Sequence, residues 1–304
     1  MRQGGFWDFE EQLARLTKGG DPLVKLAAVL DFEPFRYRLE KALKRSDGAK
    51  GGRPPYDPVL MFKVLVLFDT RLKDSGYLAQ GGQIIDATVI AAPRQHLNDG
   101  EKALIKEGKS ASQIWPEAPA KAAQKDIDAR WTMKRGSLKQ SEAGAPSAPP
   151  PAQIMLPMFG YKNHAGIDRT FGFVRKWTVT HAARHDSGAF EHVLVQENIA
   201  QSVWADTAYR SAKNERAVRR AKLKSMIHFR KPQGKPMPAP QRRANAARSK
   251  VRSAVEHVFA VQKHRMALFV RTIGIERAKM KIGMANLAYN FKRLVWHEGK
   301  SAPA

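Results

Sequence analysis

Two β-rich runs, Phe159 to Ile167 and Phe171 to Thr180, are separated only by Asp168-Arg169-Thr170, with Gly172 just beyond. Alternating side chains around so short a connection predict an antiparallel hairpin. A third β-rich run, Gln83-Ile84-Ile85-Asp86-Ala87-Thr88-Val89-Ile90, lies upstream behind Gly81 and Gly82. Downstream come a short helix at Ala189 to Glu197, a strand at Val203-Trp204-Ala205-Asp206, a basic helix at Ser211 to Ala221 and a strand at Ser225 to Phe229. Strand, hairpin, strand, helix, strand, helix in that order predicts an α/β fold, a mixed sheet flanked by helices.

The ends of the chain read as helical. Residues 1–48 carry apolar side chains at helical spacing, broken by Gly19-Gly20-Asp21-Pro22. An apolar helix follows from Asp57, its expected N-cap, to about Phe68. Two helices close the chain, Ala247 to about Phe269 and Glu276 to about Trp296. Between Pro93 and Gln153 the pattern collapses, and Ala143–Pro151 is almost entirely Ala, Pro, Ser and Gly, so the segment is expected to be a long loop with a flexible linker. The resulting division is a helical region over 1–80, a sheet domain over 81–296 with an insertion at about 93–153, and a tail over 297–304.

Composition narrows the chemistry. The 304 residues contain no cysteine, which excludes disulfides, thiolate metal sites and cysteine nucleophiles. The longest apolar stretch, Pro58 to Phe68, is short of the ~18 residues of a membrane span and holds Lys63. The N-terminus lacks the basic-then-apolar form of a secretory signal, so a cytoplasmic, nucleoid-associated protein is expected. Lys and Arg number 53 against 28 Asp and Glu, a net charge of +25, and 24 of those cations with only four acids fall between Thr207 and Ala304. A polyanion is the natural partner of such a segment, because each cation near a phosphate releases condensed counterions.

In so basic a chain the informative residues are acids in costly places. Asp86 interrupts an apolar strand and Asp206 ends one, and a carboxylate there needs hydrogen bonds, a cation or a shifted pKa. Taken singly, each is more often a turn cap than a catalytic group. Glu256 adds a third: with Arg252 at zero on a helical wheel, Glu256 falls at ~40° and Lys263 at ~20°, opposite the apolar Val255, Val258, Phe259 and Val261. An ordinary surface pair between Arg252 and Glu256 is the alternative, worth ~0.3–0.5 kcal/mol. Three carboxylates from two strands and a helix, gathered at one sheet edge, would suit hard divalent cations and phosphodiester chemistry. His181 and His185 are four apart but on a loop around Arg184, Asp168 reads as a turn residue, and no phosphate loop of the GxxxxGK[ST] type is present.

Four segments, Gln83 to Thr88, Phe159-Gly160-Tyr161-Lys162-Asn163-His164, Trp204 to Ser211 and Arg252 to Phe259, together resemble the bacterial insertion-sequence transposases of the aspartate–aspartate–glutamate type, closest to the insertion-sequence-five family. Gly51-Gly52-Arg53-Pro54-Pro55-Tyr56-Asp57-Pro58 is similar to that group's opening region. The resemblance implies an RNase H-like catalytic domain, Mg²⁺ or Mn²⁺ as cofactor, and double-stranded DNA (terminal inverted repeats and target) as partner, with a homodimer as the active form. It implies metal-dependent cleavage at element ends and strand transfer of the freed 3′-OH, with Asp86, Asp206 and Glu256 as the catalytic, metal-binding acids. Arg252, Lys263, Lys162 and Arg210 become the DNA-contacting candidates; Ser249 stands where the family pattern has Tyr. Relative to that family the helical region before the first strand is short, so an internally shortened copy is expected, able to form the acid triad but weak in end binding or dimerisation. A non-catalytic DNA-binding remnant and another RNase H-like nuclease are the competing readings.

Overall fold

The computed structural model describes residues 31, 33–43, 57–137, 153–196, 198 and 202–301. The chain divides into two compact units, Met1–Leu78 and Ala79–Ala304. Expectations for residues 1–30 and for Gly51–Tyr56 lie outside the described residues, as does the Ala143–Pro151 linker.

In the first unit a 3₁₀ turn, Glu33–Phe35, leads into helix α1 (Arg36–Leu43), and helix α2 spans Pro58–Asp74. Asp57 caps α2 as the sequence leads one to expect: its Oδ1 accepts the amides of Val59 and Leu60 at 2.7 and 2.9 Å, and Pro58 fills the first turn, where no amide partner is needed. The other carboxylate oxygen takes Arg36 Nη1 at 2.7 Å, and Phe35 packs its ring on Phe62 at 5.6 Å. One acid thus starts α2 and ties it to α1. The helix runs six residues beyond Phe68, to Asp74.

Among the described residues the second unit has six strands: β1 (Gln83–Ala91), β2 (Arg130–Ser137), β3 (Gln153–Asp168), β4 (Val174–His181), β5 (Ser202–Ala205) and β6 (Lys224–Ile227). They form one mixed sheet in the order β2-β3-β1-β5-β6, with β4 also on β3. β1 is antiparallel to β3 and parallel to β5, which is parallel to β6. With helices on both faces, this is the mixed α/β arrangement that the order of elements predicts, consistent with the RNase H-like domain that the resemblance implies.

Alternation along the strands sorts the side chains between the two faces. Ile84, Ala165 and Ile167 pack against Val255, Val258, Phe259 and Tyr289. Ile85, Val203 and Ala205 pack against Phe190, Val193, Tyr209, Val218 and Ile227. β1 is flanked by neighbours on both edges, so its apolar run is nearly continuous and the one charged residue in it, Asp86, stands out. Gly160 makes the β1–β3 approach possible: its φ is +152°, and a Cβ there would lie 2.2 Å from the carbonyl oxygen of Ile90.

The stretch from Pro93 to Gln153 departs from expectation. It contains helices α3 (Asp99–Lys106), α4 (Ala111–Ile114) and α5 (Pro119–Gln124), then β2, which pairs with Gln153–Gly160. Two capping boxes, Asn98 with Glu101 and Ser110 with Gln113, start α3 and α4. A small core of Ile105, Ile114 and Trp115 closes the insertion. The local signals were there, but each helix is too short to show a 3.6-residue period. Buried Asp126 fastens the insertion to the sheet, accepting Tyr161 Oη at 2.6 Å and the amides of Asp128 and Ala129.

Toward the C-terminus the helices differ in extent from the expected ones. Helix α6 is Phe190–Val193 and α7 is Ala212–Arg220. Helix α8 begins eight residues early, at Ala239, and ends at Arg252; α9 spans Ala254–Ala260 beyond a break at Ser253. A π-helical turn, Val261–Arg265, follows, and α10 runs from Ile275 to Ser301, past Trp296. The π turn is held by a buried amide triad: Asn163 Nδ2 reaches Asn286 Oδ1 at 2.9 Å and Gln262 Oε1 at 3.2 Å, while Gln262 Nε2 reaches Asn286 Oδ1 at 2.7 Å. Strand, π turn and last helix are thereby locked in register by groups that have no access to water.

Two predictions follow from these contacts. Asn286→Ala removes the shared partner of two buried amides, so it should lower unfolding free energy by about 3 kcal/mol, since each orphaned polar group costs ~1–3 kcal/mol. Denaturant unfolding measures it, and a loss below ~1 kcal/mol would show that the triad does not hold the helices. Glu101 accepts Lys121 Nζ at 2.6 Å and Trp115 Nε1 at 2.7 Å. The Lys121 and Trp115 hydrogen bonds pull its carboxyl down to about 2. A carboxylate lowered in the folded state stabilises above its unfolded value, near 4.5, and that stability fades as pH falls toward about 2. The protection factors of the α3 amides, taken relative to intrinsic exchange at each pH, should fall across that window in the native chain, while Glu101→Gln should start less protected and show a flat profile; identical profiles would contradict this.

Candidate active site

Asp86 sits midway along β1, paired across to Ala165 of β3. On the other side the parallel register matches Gln83 with Val203 and Ile84 with Trp204. Continuing it two residues brings Asp206 level with Asp86, where β5 has just ended. The two expected aspartates therefore meet at the point where β1 loses its parallel neighbour. Asp206 turns the chain there: its Oδ1 accepts the Ala208 amide at 2.8 Å and starts the 3₁₀ turn Thr207–Tyr209.

Arg252 at the end of α8 reaches this edge. Its Nη1 donates to Asp86 Oδ2 at 2.5 Å, and its Nη2 lies 3.6 Å from Glu256 Oε1. The guanidinium thus spans the first and third of the expected acids. The Asp86 side chain is only 14 % exposed, whereas that of Glu256 is 66 % exposed. Burial pushes the Asp86 carboxyl up to about 6; Arg252 and the Ala87 amide oppose the rise, and the neighbouring Asp206 and Asp186 carboxylates add to it.

Glu256 is placed by packing. Val255, Val258 and Phe259 on the same turn and the next are buried in the sheet face, each worth ~1.5–3 kcal/mol. The Arg252–Glu256 pair, exposed on the Glu256 side, is worth ~0.2–1 kcal/mol at most. The expected Arg252–Glu256 face exists, but the uniform wheel does not reach Lys263, because the π turn changes the angular advance before it. Lys263 is half-buried, and its amine is pushed down to about 8 by burial, then by the charge of Lys134.

The remaining candidates are engaged within the fold. Lys162 donates to Asp186 Oδ1 at 2.8 Å and to the Arg184 carbonyl at 2.7 Å. Arg210 donates to the carbonyls of His228 and Ile227 and lies 3.4 Å from Glu215. It also covers one side of the Phe229 ring environment at 4.7 Å, as Arg248 does at 4.2 Å. Asp168 is a turn residue as expected, its carboxylate accepting the amides of Phe171 and Phe173 and Arg175 Nε.

Sequence reasoning passed over two groups at this edge. Asp186 begins a 3₁₀ turn at Asp186–Ala189, and Tyr209 is fully buried with a hydroxyl that has no hydrogen-bond partner. The Tyr209 hydroxyl is held well above the usual phenol range by burial first, then by the charges of Asp86, Asp186 and Asp206. The signal for Asp186 was the same one that found the others, an acid in a basic chain, but a loop position made it unremarkable.

The donor set is hard oxygen: carboxylates of Asp86, Asp206 and Glu256, of which Asp86 is the poorly hydrated one. Such donors suit Mg²⁺ or Mn²⁺ in chemical type. Among the described residues no three His, Asp or Glu side chains already converge at metal-ligand spacing. The expected gathering is therefore partial: the strand register brings Asp86 and Asp206 to the same sheet edge, and Glu256 is linked to Asp86 through Arg252.

Residues 156–291 match the Transposase DDE domain family, and residues 10–71 match a second family described as Transposase domain (DUF772). The first match contains Asp206 and Glu256; Asp86 lies between the two. A curated relative, the transposase for insertion sequence element IS1106 of Neisseria meningitidis serogroup B, is 26% identical over 215 residues. The alignment covers 69% of this chain and 63% of that relative, less than two thirds of its length. No solved structure gives a significant match. The sheet domain is thus similar over residues 156–291 to the DDE domain of transposases, and residues 10–71 to a second transposase domain.

Proposed function

We propose that the chain is a DNA transposase, of the insertion-sequence-five group in its motifs, that cleaves element ends and joins the freed 3′-OH to target DNA. The observation that carries this reading is the meeting of Asp86 and Asp206 at the end of β5, with Glu256 tied to the same place through Arg252. Asp86, Asp206 and Glu256 would hold the divalent ions. Bound there, such ions supply charge neutralisation on both sides of an in-line phosphoryl transfer.

The protein's own groups then divide the work. The buried walls around Asp86 keep its carboxylate poorly hydrated and ready to exchange Arg252 for a stronger cation. Once displaced, Arg252 has a guanidinium suited to a phosphate oxygen, in reach of the acids it leaves. The exposed cations Arg242, Arg243 and Lys250 on α8 and Lys213, Arg216 and Arg219 on α7 supply a backbone-binding surface that carries no sequence information of its own. Lys263 belongs to the same reading as a phosphate contact beyond the π turn.

A second reading, a DNA-binding protein that no longer cuts, draws on the ion pair that satisfies Asp86 internally. The short connector, residues 75–82 between α2 and β1, supports an internally shortened copy with weakened end binding. Both readings predict DNA binding that weakens steeply with salt; cleavage separates them.

Labelled duplexes carrying the terminal sequences that flank the gene, incubated with Mg²⁺ or Mn²⁺, should be nicked to leave a 3′-OH. Asp86→Asn, Asp206→Asn and Glu256→Gln should each lower the rate at least about 100-fold, the loss of several kcal/mol of charge stabilisation, with binding retained. Equal cleavage by these variants would remove the assignment, and binding without any cleavage by the native chain would favour the second reading.

A further inference from the structure

Strand β3 outruns the sheet. Its second half, Gly160–Asp168, lies against β1, and Tyr161–Ile167 also lies against β4. Its first half, Gln153–Met158, has β2 as its one strand neighbour among the described residues. The two form an antiparallel ribbon that leaves the sheet in the direction in which β1 and β5 run, past the edge that holds Asp86 and Asp206. Asp86 pairs with Ala165, six residues from Phe159, so the ribbon begins ~20 Å beyond that level.

Alternation gives the ribbon one apolar face. Phe159, buried with Ile90 and Ile282 of α10, pairs with Trp131, and Pro157 pairs with Met133. Trp131 is braced on Phe159, ring to ring at 5.4 Å, with Arg94 over it at 5.8 Å. Yet Trp131, Met133 and Met155 are 46, 53 and 46 % exposed, and apolar groups held together in water mark a surface that meets a partner. Two observations choose that partner. Neither β2 nor the ribbon half of β3 holds an acid, whereas β2 holds Arg130, Lys134 and Arg135, so the charge complements a polyanion. The open edge also refuses a further strand. The Phe159 carbonyl takes the Ala92 amide at 2.9 Å on the β1 side; Pro157, two residues back, faces the same edge beyond the end of β1 and has no N–H to offer. A DNA duplex accepts both features. Its major groove, about 12 Å wide, admits a two-stranded ribbon, with phosphates along the rims for cations and base edges, thymine methyls among them, for apolar groups.

We propose that the β2–β3 ribbon is a DNA finger, lying in the major groove of the duplex held at the Asp86–Asp206 edge, with Trp131 and Met133 toward the base edges and the exposed Lys134 on a phosphate at the rim. This rests on the reading of that edge as the DNA-cleaving one. It adds base-edge contact, and with it sequence selectivity, to the backbone-binding surface of α7 and α8.

The test begins with mobility shifts of the labelled terminal duplexes by the full native chain at stepped KCl. The chain has no cysteine, so Met133→Cys puts a single thiol on the ribbon and Glu107→Cys a single thiol at the exposed end of α3. Alkylation by N-ethylmaleimide, an uncharged reagent, is then timed with and without duplex, circular dichroism confirming the fold. With duplex at about 10 times Kd roughly one chain in eleven is free, so the Met133→Cys thiol should react about 10-fold more slowly while Glu107→Cys keeps its rate. Lys134→Gln should lower the slope of log K against log salt by about one. Duplex binding with an unprotected Met133→Cys thiol, equal protection of both thiols, or an unchanged slope would overturn the proposal and leave the transposase reading standing. Slowing that follows protein concentration without DNA would assign the ribbon to a second copy of the chain and overturn it too. No duplex binding by the native chain would overturn both.

Discussion

A carboxylate in the middle of a buried strand has to be answered by a positive charge, and in this protein the answer comes from 166 residues away, where Arg252 meets Asp86 at 2.5 Å. That contact joins the central strand to the end of α8 and so to the helix that carries Glu256. Removing one partner of such a pair would leave a poorly hydrated charge unmatched, a far larger penalty than an exposed ion pair could offset. The pair therefore does more than decorate the edge of the sheet. It fixes which helix face looks at the strand ends, with apolar anchoring at Val255, Val258 and Phe259, while the Asn163–Gln262–Asn286 triad ties the π turn that follows to β3 and α10.

The same edge explains the uneven use of acids. The chain is heavily basic, and its shielded carboxylates divide in two: Asp126 and Asp168 are satisfied by amides and side-chain donors elsewhere in the sheet domain, while Asp86 and Asp206 lie where β1 and β5 part. The surrounding cations fall into two groups. Arg210 and Arg248 are consumed by the fold, donating to the carbonyl of Ile227 and flanking Phe229. Arg242, Arg243 and Lys250 remain exposed along α8, where a polyanion can reach them. Charge on the surface and charge compensation at the site are thus separate functions of what looks, by composition, like one basic segment.

Much of this was legible in the residues. The hairpin, the order of strands, the N-cap at Asp57 and the conspicuous positions of Asp86 and Asp206 follow from local pattern and from the cost of burying charge. The insertion at 93–153 was misread because helices of eight, four and six residues are too short for periodicity, although the capping boxes at Asn98 and Ser110 marked two of them. The wheel drawn through Arg252, Glu256 and Lys263 assumed a uniform helix, and neither the break at Ser253 nor the π turn has a signature at that level. Asp186 escaped notice because its neighbours in space, Tyr209 and Asn214, are set by tertiary packing. The internal engagement of Lys162 and Arg210 was invisible for the same reason.

The most direct test is where a manganese ion goes. Anomalous diffraction from crystals of the full chain soaked in Mn²⁺ should show density between Asp86 and Asp206, with the Arg252 guanidinium withdrawn from Asp86 Oδ2. Manganese bound elsewhere, with Arg252 still on Asp86, would contradict the assignment of this edge as the catalytic centre.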